Sequence, residues 1–161
     1  MSIKKCAKSL IVSFMFLVLT VFPGTSYGST TAQLSQKEFV EGYLETVREH
    51  TYWVQNYKYG YWDCTNQATV LYTALAMLGI QTKIVTGRFD GSRNWHAMLE
   101  VVLDGKEYRI EPVDLTFYET RDLGKGWREW SKHSLENARW IWPWEFSCPV
   151  ELESILFTSE E

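Results

Sequence analysis

The sequence predicts an α+β domain in which a buried helix with a cysteine at its N-terminus packs on an antiparallel sheet that carries a histidine. Three observations predict it. Residues 64–78 are apolar on nearly every side, and residues 81–110 turn to β-branched and alternating patterns around Asp104-Gly105. Cys64 opens the first of these stretches and His96 lies where the second resumes after a turn-rich loop, with acidic residues following.

Ahead of the domain, Lys4, Lys5 and Lys8 form a basic region, Leu10 to Phe22 an apolar run, and Ser26-Tyr27-Gly28 a small-x-small cleavage site. This predicts an export signal over residues 1–28. The apolar run is thirteen residues long, short of the roughly 20 that span a bilayer, so no stable membrane span is expected after cleavage. The mature chain, residues 29–161, is then a single domain of roughly 133 residues, secreted or placed in the periplasm or cell envelope. Loss of the three lysines takes the formal charge from −4 to −7. That balance argues against nucleic acid and anionic membrane surfaces as partners, since both reward clustered Lys and Arg.

Ser35 and Glu38 form a capping box, Leu34 and Phe39 take staple positions, and Phe39, Val40, Tyr43, Leu44 and Val47 recur at helical spacing. A scaffold helix is expected over about 35–49, with His50 ending it and carrying no chemistry. Tyr52 to Trp62 then holds six aromatics and one glycine. Most of these rings are expected to pack in the core, and the stretch as a whole to wall the space in front of Cys64.

In the second helix Ala68, Leu71, Tyr72, Leu75 and Leu78 make one apolar stripe, and Val70, Ala74, Ala76 and Met77 fill much of the rest. Asp63 is placed as N-cap, Cys64 as the first helical residue and Gly79 as the stop. A thiol there meets the positive end of the helix dipole, which moves it from about 8.5 toward neutrality and leaves free N–H groups beside the sulfur to hold an oxyanion.

Gln81 to Phe89 reads as a strand, residues 90–94 as a loop, and 95–103 with 106–110 as a hairpin. The two-residue turn sets the register: Leu103 opposes Lys106, Val101 opposes Tyr108, Glu100 opposes Arg109, and Met98 opposes Glu111. His96, Met98, Glu100, Arg109 and Glu111 then share one face, and the more apolar face packs on the helix. Glu111 falls diagonally across from His96, within reach of the ring. Asp114 is the alternative acid, because the chain can curl after Pro112 and alternation no longer sets its direction.

Cys6 leaves with the signal, so Cys64 and Cys148 remain. An even pair in an oxidising compartment reads as a disulfide; the position of Cys64 before His96 and an acid reads as a nucleophile. Two cysteines without CxxC spacing, and histidines without HxxxH or HExxH spacing, make no metal site. Five of the eight tryptophans fall from Trp127 to Trp144. Trp127, Trp130, Ser134, Leu135 and Ala138 suggest a short helix, and the rings either pack in the core or form platforms for sugars and peptides. His133 is expected at the surface, Cys148 in a loop, and residues 150–157 in a last strand or helix.

Asp63-Cys64 leading a helix that ends Leu78-Gly79-Ile80, followed by Trp95-His96-Ala97, Glu100-Val101, Asp104-Gly105 and Tyr108, resembles the transglutaminase-like superfamily over about residues 58–116. The resemblance implies a papain-like α+β core with Cys64 as nucleophile and His96 as base, acting on peptide or glycopeptide bonds. The sequence departs from the family pattern at Trp62, where glycine is usual, at Met98, where an aromatic is usual, and at the closing acid. There Glu111-Pro112-Val113-Asp114-Leu115-Thr116 offers Glu111 or Asp114 in place of Asp-Pro-Thr.

Two functions follow. The first is a secreted cysteine enzyme performing acyl transfer or hydrolysis without a cofactor, Trp53, Gln55, Trp62 and Trp95 lining its cleft or oxyanion site. Calcium, used by some relatives, has no recognisable loop. The second is a non-catalytic envelope module with a Cys64–Cys148 disulfide and a tryptophan contact surface. That bond would stabilise the domain by a few kcal/mol.

Overall fold

The computed structural model describes residues 35–120, 126–142, 145–149 and 152–158. The predicted export signal, Leu34, Trp144 and Val150 lie outside the described residues. Helix α1 (Gln36–His50) begins at the expected capping box, where Ser35 accepts from the Glu38 amide and the Glu38 carboxylate accepts from the Ser35 amide. It buries Val40, Leu44 and Val47, whereas Phe39 is largely exposed.

Helix α2 (Cys64–Met77) is the central element. It ends in a Schellman motif, the Ile80 amide donating to Leu75 and the Gly79 amide to Ala76. Its first two turns are buried on nearly every side, but Ala76 and Met77 at its last turn face solvent.

Five antiparallel strands follow: β1 (Gln81–Phe89), β2 (His96–Leu103), β3 (Lys106–Glu111), β4 (Thr116–Glu119) and β5 (Trp127–His133). They form one sheet in the order β4-β3-β2-β1-β5. The β2–β3 pairs Leu103–Lys106, Val101–Tyr108 and Glu100–Arg109 are those dictated by the Asp104-Gly105 turn. Both turn residues have positive φ, 50° and 76°, the conformation that matches the strands' twist and that Asp-Gly supplies with little strain.

Alternation divides the sheet. Ile84, Ala97, Leu99, Val101, Leu103, Tyr108 and Ile110 join the core shared with the α2 residues Ala68, Leu71 and Leu75. The other face carries Lys83, Met98, Glu100, Arg109 and Lys132, brought side by side by the strand register. This α+β architecture, with the cysteine helix packed across β1 and β2, is the predicted fold class.

The C-terminal third departs from expectation. The helix suggested from Trp127 to Ala138 is instead strand β5, then helix α3 (Leu135–Ile141) capped by Ser134. Three pairs of β1 and β5 lie on each side of an irregularity between Thr86 and Gly87, which leaves Trp130 outside the register. Non-local pairing with β1 overrides a helical recurrence that only a few residues supported. Helix α4 (Leu152–Phe157) ends the described chain.

Gly87 fits β1 to β5. A Cβ there would lie 2.4 Å from the Arg128 carbonyl oxygen and 2.6 Å from the Trp127 ring. Gly87→Ala is therefore expected to force the strands apart, losing about 1–3 kcal/mol, measurable as a lower urea midpoint.

Candidate active site

The site grows from the cap of α2. Asp63 Oδ1 accepts from the Thr65 amide at 3.0 Å, and Asp63 Oδ2 from the Gly60 amide at 2.8 Å. One carboxylate thus holds both the helix start and the loop before it. Cys64 follows as the first helical residue, half-buried, its amide lacking an intrahelical acceptor. The C-terminal segment clamps the same turn: Thr65 Oγ1 donates to the Glu145 carbonyl at 2.6 Å and Asn66 Nδ2 to the Ser147 carbonyl at 3.1 Å. Cys64 has a free thiol. The Cys64–Cys148 disulfide is therefore not made.

His96 opens β2 opposite Gly87, and its Nε2 donates to Glu111 Oε2 at 2.6 Å. Burial would lower the imidazole, but hydrogen bonds to Cys64 and Glu111, with their negative charges, outweigh it and push His96 up to about 10. Glu111 is fixed in turn, its Oε1 accepting from the Val113 amide at 3.0 Å. Asp114 is not brought to the ring. It is exposed, its carboxylate accepts from the Thr116 amide at 2.9 Å, and its carbonyl accepts from Arg48. The chain curls there through Leu115, whose φ is 59°.

The predicted cleft residues divide differently from expectation. Trp53 and Trp62 are core, 3% and 0% exposed, and meet edge to face at 4.9 Å. Trp53 Nε1 donates to the Pro112 carbonyl at 2.6 Å, and the Trp53 carbonyl accepts from Trp62 Nε1 and Gln67 Nε2. These bonds tie the loop before Cys64 to the end of β3 beside Glu111, so both rings position the site rather than line it. Their size and buried N–H groups suit that task. Trp95 is half-buried and stacks on Trp142 at 6.1 Å, while Gln55 is exposed.

Sequence reading missed the aromatic neighbours of His96. Phe89 lies 6.1 Å and Trp127 6.4 Å from its ring, and 5.1 Å from each other. No local signal links them, since β5 reaches β1 only through the sheet.

A free thiol at a helix N-terminus and an imidazole hydrogen-bonded to a carboxylate are thus set on an α+β core. Residues 31–112 match the family model of the transglutaminase-like superfamily, about half of the chain, and the chain belongs to that superfamily. No curated protein and no solved structure matches it.

Proposed function

We propose that this chain is a secreted cysteine enzyme that performs acyl transfer or hydrolysis on peptide or amide bonds, with cell-envelope peptides or glycopeptides as its substrate class. The observation that carries this reading is His96 held between Cys64 and Glu111. His96 takes the thiol proton, and Glu111 orients the ring and steadies the imidazolium. The sulfur adds to the carbonyl carbon, an S–C bond forms, and the C–N bond breaks as His96 returns its proton to the leaving amine. Water or an amine then attacks the thioester with His96 as base, restoring Cys64. No step requires a cofactor.

A second reading, a non-catalytic envelope module, now lacks its disulfide and rests on Trp130 and Trp140, 56% and 87% exposed.

Iodoacetamide alkylation of the mature protein without reductant tests the first reading. Alkylation of Cys64 is expected at neutral pH, where His96 keeps its proton. His96→Ala should move that reactivity toward alkaline pH, and Cys64→Ser should abolish it. An inert Cys64 in the unreduced protein would sink the proposal.

A further inference from the structure

Resting on that reading, the tetrahedral intermediate needs a donor for its oxyanion besides the Cys64 amide. Trp53 cannot supply it, because its N–H is buried against Pro112. We propose that the Tyr57 hydroxyl is the second oxyanion donor.

The backbone before Cys64 places Tyr57 for this role. Lys58 and Trp62 form an antiparallel bridge, the Lys58 amide donating to Trp62 at 3.1 Å and the Trp62 amide to Lys58 at 2.8 Å. Continuing that register by one residue sets Tyr57 opposite Asp63, immediately before the nucleophile. The turn closing the bridge is held by Asp63, through the Gly60 amide, and the same carboxylate caps α2. Tyr57 and Cys64 are thus referred to one anchor, the rigid positioning an oxyanion site requires.

The hydroxyl is also chemically suited. Its residue is 44% exposed, so a substrate can reach it, and it makes no side-chain hydrogen bond to another described residue. Partial burial, then the negative charges of Cys64, Asp63 and Glu111, hold it above the ordinary tyrosine value. It therefore remains a protonated donor at neutral pH and lies within electrostatic range of both the sulfur and the Glu111 carboxylate. When sulfur adds to a carbonyl, the electron pair displaced onto oxygen is met by the Cys64 N–H and the Tyr57 O–H. The hydroxyl keeps its proton throughout, and the thiol proton resides on His96 until the leaving group departs.

Tyr57→Phe removes only this oxygen from an exposed ring. Two probes separate its role: p-nitrophenyl acetate acylates Cys64 through a tetrahedral oxyanion and releases p-nitrophenolate, whereas iodoacetamide alkylates by direct displacement and forms none. Tyr57→Phe is expected to slow acylation by about 100-fold and to leave alkylation within about twofold. Equal slowing of both would overturn the proposal and make Tyr57 a support for the sulfur; no change in either would also overturn it. A wild-type Cys64 inert to both probes would instead overturn the enzyme reading beneath it.

Discussion

His96→Ala is expected to slow acyl transfer at Cys64 by about 10³- to 10⁴-fold and Glu111→Gln by about 100-fold, whereas Asp114→Asn leaves it within about twofold. The difference rests on contacts. Glu111 receives the His96 proton donor at 2.6 Å, while Asp114 is occupied with the Thr116 amide in a solvent-facing turn. Single-turnover release of p-nitrophenolate measures the three variants directly. Equal losses in the Glu111 and Asp114 variants would remove Glu111 from its assigned place.

The same pair predicts a pH signature in stability. His96 titrates near 6.5 in an ordinary setting and about 10 in the fold, so the native state binds the extra proton between those values. Its stabilising contribution is complete below about pH 6.5 and is lost as pH rises through about 10. Wild-type urea midpoints should therefore decline from pH 7 to 10, and Glu111→Gln should flatten that decline. An unchanged slope in the variant would show that Glu111 does not hold the proton.

Arg109→Ala is expected to destabilise the fold by about 3–5 kcal/mol, a large share of the roughly 5–15 kcal/mol available to a domain. Arg109 and Glu100 are 2% and 1% exposed and hydrogen-bonded to each other across β2 and β3. Arg109 also reaches Glu129 at 2.7 Å, and Lys132 reaches Glu100 at 2.7 Å. Removing the guanidinium leaves a buried carboxylate with only the half-exposed Lys132 and Lys83 ammoniums, at 2.7 and 3.7 Å, beside it among the described residues, and a cavity of its own size. The double variant Glu100→Leu, Arg109→Met should recover most of the loss, because it removes both buried charges and keeps the volume. Urea denaturation at pH 7 decides the matter; a double variant as unstable as Arg109→Ala would deny that unpaired charge is the cause. Burial raises Glu100, but Lys132 and Arg109 outweigh it and hold the carboxylate below its ordinary value of 4.5. Its contribution is therefore complete above that pH and is lost as acid passes through the depressed value.

Much of the central fold was legible because its signals are local. The Asp63 cap, the Cys64 start and the Gly79 stop are written within one helix, and the Asp104-Gly105 turn dictates a register that carries Glu111 toward His96. The tryptophans were not legible in the same way. Trp53 and Trp62 have the composition of a cleft wall, yet their N–H groups find buried carbonyls and the rings are enclosed. Trp127 and Trp130 have a helical recurrence, yet β1 claims the segment as its neighbour.

Local signals alone specify the cysteine helix, the hairpin and the candidate residues Cys64 and His96 with Glu111 or Asp114, since caps, turns and alternation act over a few residues. It took the folded chain to turn Asp114 away, to leave Cys64 unbonded to Cys148, and to bring Trp127 on β5 beside His96. Each of these depends on which distant segment wins a shared surface or hydrogen bond, a competition between non-local contacts that a linear pattern does not record.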